Sequence, residues 1–158
     1  MKNAVYLLIL LSWVSFSQTV DRAIKFKVTM IQNCVKKGAD GETFFWQSKG
    51  KITFAFVNYT NEQNPVFKAL FIKQYREIAP IYELMNKTER ESDTALFIKI
   101  LIQQEIDYRK LLTPEQLNRY TTKLTDLEHN NVPEFDSYSA LFFSDNLLEK
   151  FKVGFGVD

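Results

Sequence analysis

The chain is poor in the residues that staple, ligate or turn. Among 158 residues it has one cysteine, one histidine, five glycines and four prolines. The lone cysteine, Cys34, excludes an internal disulfide. It is either a buried small hydrophobe or one half of an intermolecular bridge, and the burial habit of free cysteine favours the first. The lone histidine, His129, precedes two asparagines at an expected helix end. Metal sites show several ligands in a readable spacing, and none accompanies it. So few turn-formers exclude a many-stranded β-sandwich. Charge of one sign is also missing, with 20 basic residues against 19 acidic. That balance argues against nucleic acid, which is held by neutralising phosphates, and against an electrostatic membrane-surface role. No Gly-rich phosphate loop, Gly-x-Ser-x-Gly elbow, Cys-x-x-Cys or His-Glu-x-x-His motif occurs. The carboxylates Glu105, Asp107, Glu115 and Asp126 are of a kind any helical protein offers. The sequence therefore reads as non-enzymatic, with no catalytic residue, no cofactor and no metal.

Apolar residues are plentiful, and 14 of them are phenylalanine. The first apolar run, Ala4 to Val14, follows Lys2 and ends in Ser15-Phe16-Ser17. A short positive start, an apolar stretch and small residues at −3 and −1 describe a secretory signal peptide cut between Ser17 and Gln18. The run is short for a membrane span, which needs roughly 20 residues, so an uncleaved anchor is the lesser alternative. Cys34 lies too far along to be a lipidated cysteine. The expectation is residues 18–158 as one helical domain, periplasmic or secreted, with no stable membrane anchor after cleavage.

Helical spacing recurs along that domain. Ile24, Val28, Ile31 and Val35 mark a first helix, closed by Lys36, Lys37 and Gly38. Residues 42–58 read two ways. Ile52, Phe54 and Phe56 alternate as in a strand, which would make a β-hairpin near 43–57 turning at Ser48–Lys51. Phe45, Ile52, Phe56 and Tyr59 instead share a helical face, and this reading is preferred although Gly50 weakens it. Asn64 and Pro65 suit the start of a long helix with Phe71, Tyr75, Ile78, Tyr82 and Met85 inward, kinked at Pro80. A helix from about Thr94 to Leu111 carries two adjoining apolar faces. Another runs to His129 with Leu117, Tyr120, Leu124 and Leu127 inward. A last helix covers Ser137 to Phe151, before a frayed or strand-like tail. The fold class is mainly α: a small helical bundle, or a bent helical hairpin with extra helices.

Two local features bear on function. Phe44-Phe45-Trp46 is either core or an exposed aromatic anchor for a partner; large aromatics are mostly buried, which favours core. In Leu112-Thr113-Pro114-Glu115-Gln116, Thr113 can cap a helix, Pro114 suits its first position, and Gln116 can close a capping box. Thr-x-x-Gln/Glu recurs at Thr60–Gln63, Thr88–Glu91 and Thr125–Glu128, but only Thr113–Gln116 has a proline and a following stripe to support it.

The string Leu112, Thr113, Pro114 and Gln116 resembles the LTxxQ motif of the Spy/CpxP-like periplasmic helical proteins. Tyr59-Thr60-Asn61-Glu62-Gln63 resembles a degenerate second copy, with Tyr in place of Leu. The resemblance implies a small exported all-α protein built on a bent helical hairpin. Its function would be that of an ATP-independent envelope-stress chaperone or a stress-sensor regulator, with unfolded or envelope proteins as partners. The aromatic segment at 42–59 and the extra C-terminal helix depart from that pattern. The alternative is a dedicated envelope binding module for one partner.

Overall fold

The computed structural model describes residues 22–130 and 133–157. The expected signal peptide, 1–17, and its cleavage site lie outside the described residues. These form seven α-helices and no strand: α1 (22–35), α2 (Gly41–Val57), α3 (Asn64–Thr88), α4 (Glu91–Lys110), α5 (Pro114–His129), α6 (Pro133–Ser139) and α7 (Asp145–Phe155). A 3-10 turn, Gly38–Asp40, leads into α2. The mainly-α expectation holds. Among the described residues no helix is long and apolar enough to cross a membrane.

The hairpin alternative at 43–57 is not realised, because the whole stretch is α2. Phe45, Lys49, Thr53 and Phe56 point inward at steps of four, four and three, and α2 packs against both α3 and α5. The supposed turn, Ser48–Lys51, lies in mid-helix. At its start α2 meets α1 closely. A Cβ on Gly41 would stand 2.3 Å from the Cys34 carbonyl oxygen and 2.5 Å from the Tyr75 hydroxyl, so only glycine fits there. Asn58, at φ 52°, ends the helix and donates its N–H to the Phe54 carbonyl.

Four other expectations are corrected. Asn64 begins α3 but does not cap it; its amide oxygen instead accepts from the Tyr59 hydroxyl at 3.2 Å. The expected inward faces of α1 and α3 are met in part. On α1 Ile31 is buried as expected, but Ala23, Lys27 and Cys34 are buried rather than Ile24, Val28 and Val35; on α3 Phe71, Ile78 and Tyr82 are buried as expected, while Gln74 is buried and Tyr75 and Met85 are half-buried. The expected last helix, Ser137–Phe151, is two helices. Chain 140–144 turns between them and buries both Phe142 and Phe143. Ser144 then caps α7 by accepting the Leu147 N–H at 3.2 Å, a contact worth about 1 kcal/mol. The tail is not strand-like: α7 runs to Phe155 and stops on Gly156 at φ 60°.

Two apolar clusters fill the bundle. One gathers Cys34, Phe45, Ile78, Phe97, Ile102 and Phe143. The other gathers Phe56, Phe67, Phe71, Tyr108, Leu124 and Phe142. The long helices run through both. Midway along three of them, between the residues given to each cluster, stand buried polar side chains: Lys49 on α2, Gln74 on α3, and Gln104 and Glu105 on α4.

Candidate functional site

The polar layer is the first of two candidate regions. Glu105 is 2 % exposed. One of its oxygens accepts from the Tyr120 hydroxyl at 2.6 Å and from Arg109 Nε at 2.7 Å; the other accepts from the Phe143 N–H at 3.3 Å. Arg109 extends the net to α7, reaching Asp145 at 2.6 Å and the Phe143 carbonyl at 2.8 Å. Lys27 enters from α1. Its Nζ donates to the Ser139 and Phe142 carbonyls, each at 2.6 Å, and sits 3.7 Å from the Phe143 ring centre. Those two carbonyls flank the break between α6 and α7, so the lysine holds the chain where the helix stops. Lys49 donates to Gln74 Oε1 at 2.8 Å beneath the rings of Phe45, Phe71 and Phe142. Gln74 and Gln104 exchange side-chain to backbone bonds at 2.8 and 2.9 Å, tying α3 to α4.

Burial governs the electrostatics of this layer. It pushes the Lys27 ammonium down to about 7, against the pull of Glu105 and helped by the charge of Lys49. It lowers Lys49 to about 8, again opposed by Glu105. Burial and the nearby Glu105 charge hold the Tyr120 phenol well above its usual range. Three polar atoms here, the Thr53 and Tyr108 hydroxyls and Gln104 Oε1, have no partner among the described residues. A partly satisfied buried network costs stability. Its charged groups contact protein atoms rather than an open cleft, which marks the layer as internal scaffolding.

The second region is a groove on the outer side of α2. One cleft, about 430 Å³, lies between Phe44, Ile52 and Ala55 of α2, Met30 of α1, and Tyr138 and Leu141 at the end of α6. A second, about 390 Å³, lies between Ala55 and Phe56 of α2 and Arg119, Thr122, Lys123 and Asp126 of α5. They meet at Ala55, on either side of the edge-to-face pair Phe56–Tyr138, whose ring centres are 4.9 Å apart.

The structure divides the aromatic triplet. Phe45 is 2 % exposed and belongs to the core, whereas Phe44 is 37 % exposed and lines the first cleft. Trp46 is half-buried, with Lys68 Nζ 4.6 Å from its ring centre. His129 lies exposed at the end of α5, its Nδ1 3.0 Å from the Thr125 carbonyl. Cys34 is fully buried, and burial pushes its thiol up to about 11.

Leu112, Thr113, Pro114 and Gln116 form the expected capping box. The Thr113 hydroxyl accepts from the Gln116 N–H at 3.2 Å, and Gln116 Oε1 accepts from the Thr113 N–H at 3.1 Å. Leu112 is buried below it. Thr60–Gln63, which the sequence left without support, repeats the same pair of bonds at 3.3 and 3.0 Å. The two boxes stand side by side. Gln63 Nε2 donates to Gln116 Oε1 at 3.1 Å, and Gln116 Nε2 donates to Gln63 Oε1 at 2.9 Å. Thr88 instead donates to Asp93, and Thr125 lies inside α5, so neither of those patterns forms a capping box.

Sequence reasoning misses Lys27, Lys49 and Gln74, and passes Glu105 as an ordinary carboxylate. A pattern read from apolar side chains passes over them, yet Lys27 falls four after Ala23 and four before Ile31, inside the buried stripe. No family model, no curated protein and no solved structure matches this chain.

Proposed function

We propose that the protein is an exported interaction protein that binds one envelope partner without ATP, through the groove on α2. The observation that carries this reading is the groove itself: a compact apolar seam of Phe44, Ile52 and Ala55, rimmed by Ser48, Lys51 and Ser137. Solvent-facing apolar seams with polar rims mark binding sites. The export signal read in the first 17 residues supports a periplasmic or secreted location. The paired boxes support the resemblance to the LTxxQ proteins, since they bring both copies of the motif into one structural unit. Within that resemblance the regulator role fits better than general client capture. Other large apolar side chains with notable exposure, such as Leu84, Leu96 and Val153, lie on α3, α4 and α7 and line neither cleft.

Photo-crosslinking in the native host tests this. A photo-reactive amino acid replaces Ser48 in the groove or Lys99 on α4. The reading expects one discrete adduct at position 48 and none at position 99. A smear of many adducts at 48, together with suppression of client aggregation by the purified protein, would turn the reading to a chaperone. Equal labelling at both positions, or none at 48, would overturn the use of the groove.

A further inference from the structure

Along the outer side of α2, Phe44, Ser48, Ile52 and Ala55 follow at steps of four, four and three. They cover three turns, roughly 16 Å at 1.5 Å per residue. Ser48 and Ala55 are small and let another backbone come close, while Phe44 and Ile52 supply apolar contact. This is the shape that accepts an amphipathic helix with anchors at i, i+3, i+4 and i+7.

The charge around the seam is predominantly positive. Lys51 lines the first cleft, and Arg119 and Lys123, one turn apart on α5, line the second; Asp126 is the only carboxylate among the described lining residues. Some cations elsewhere are paired. Arg22 is held by Asp136, Arg76 by Glu42, and Arg109 by Glu105 and Asp145. Lys51, Arg119 and Lys123 have no ion pair among the described residues. At the far end Lys37 Nζ lies 4.5 Å from the Phe44 ring centre. In a chain with nearly equal numbers of acids and bases, the described lining of the two clefts carries three cations to one carboxylate.

We infer that the groove takes an acidic amphipathic helical segment of another protein, its apolar face on Phe44, Ile52 and Ala55 and its carboxylates against Lys51, Arg119 and Lys123. The inference rests on the reading of the chain as an interaction protein and adds the chemistry of the partner. Complementary charge of this kind sets partner choice and association rate more than total affinity. It also predicts weakening with salt, because these cations lie at the surface.

The probes are two fluorescent 18-residue peptides with leucines at i, i+3, i+4 and i+7. One carries glutamates on its other face and the other carries lysines. Anisotropy titration of the purified protein should show the glutamate peptide binding at least about ten-fold more tightly at low salt, with the gap closing as salt rises. The triple substitution Lys51→Glu, Arg119→Glu, Lys123→Glu should reverse the preference with the melting curve unchanged, since all three side chains are exposed. Phe44→Ser should weaken the glutamate peptide. Equal binding of the two peptides, no binding of either, or an unmoved preference in the triple variant would overturn the inference. So would groove-dependent binding to phosphatidylglycerol vesicles in place of the peptide. A discrete photo-adduct at position 48 with no acid preference would leave the interaction reading standing and remove only this one.

Discussion

Helix α2 carries two regions that reverse the usual distribution of side chains in opposite senses. On its inner side Lys49 is 3 % exposed beneath three aromatic rings; on its outer side Phe54 is 53 % exposed and Phe44 faces the groove. The inner region is a charged layer between two apolar clusters, committed to holding helices together. The outer region is an apolar seam among free cations, committed to nothing within the chain. The difference separates scaffold from surface: buried charge here pins a helix break, and exposed apolar area is where a second molecule gains most by covering it.

The largest effect should come from the inner region. Glu105→Gln puts an amide NH₂ where the carboxylate accepts from Tyr120, Arg109 and Phe143, and leaves buried cations uncompensated. Urea unfolding should show a loss of about 3–5 kcal/mol. The same layer should set the pH profile. Lys27 and Lys49 hold their protons less tightly in the fold, at about 7 and about 8, than the ordinary 10.5 of the unfolded chain. Unfolding between those values takes up protons, so stability should rise with pH from about 7. Above about 9 the climb should slacken. There the unfolded Cys34 thiol ionises, whereas the folded one keeps its proton to about 11, and this offsets part of the gain from the two lysines. Urea midpoints should climb from about pH 7 and rise less steeply above about 9, and Lys27→Met should reduce the climb.

The paired boxes come next. Gln63→Ala and Gln116→Ala, alone and together, should show a coupling of about 1 kcal/mol in a double-mutant cycle, because each amide oxygen serves its own box and its partner. The groove should give the smallest change in stability. Lys51→Glu and Phe44→Ser should shift unfolding by no more than about 0.5 kcal/mol, and their effect should fall on binding.

The same contrast explains how much was legible in the sequence. α5 is clear because its apolar stripe, its proline and its capping box agree, and three of its four buried residues, Tyr120, Leu124 and Leu127, belong to the expected stripe; the fourth is Gln116 of the box itself. α2 was ambiguous because phenylalanine lies on both of its sides, which blurs the difference between a period of two and one of 3.6. The split of the last helix was not legible at all. Residues 137–151 keep a helical pattern, and the break is fixed by Lys27, more than a hundred residues away, through the Ser139 and Phe142 carbonyls. Glu105 looked like any surface carboxylate until Tyr120, fifteen residues on, was brought against it. The groove was half visible: Phe44-Phe45-Trp46 was singled out, but which of its rings faces outward depends on where α1 and α6 pack.

The most direct test sets the two regions against each other in one experiment. Affinity for the glutamate peptide is measured for Glu105→Gln and for Phe44→Ser at a temperature where both remain folded. Unfolding in urea is followed on the same samples. The scaffold-and-surface account expects Glu105→Gln to lose stability and keep its affinity, and Phe44→Ser to keep its stability and lose its affinity. If Glu105→Gln loses affinity while folded, or Phe44→Ser binds as before, the division between a structural interior and a binding exterior is wrong.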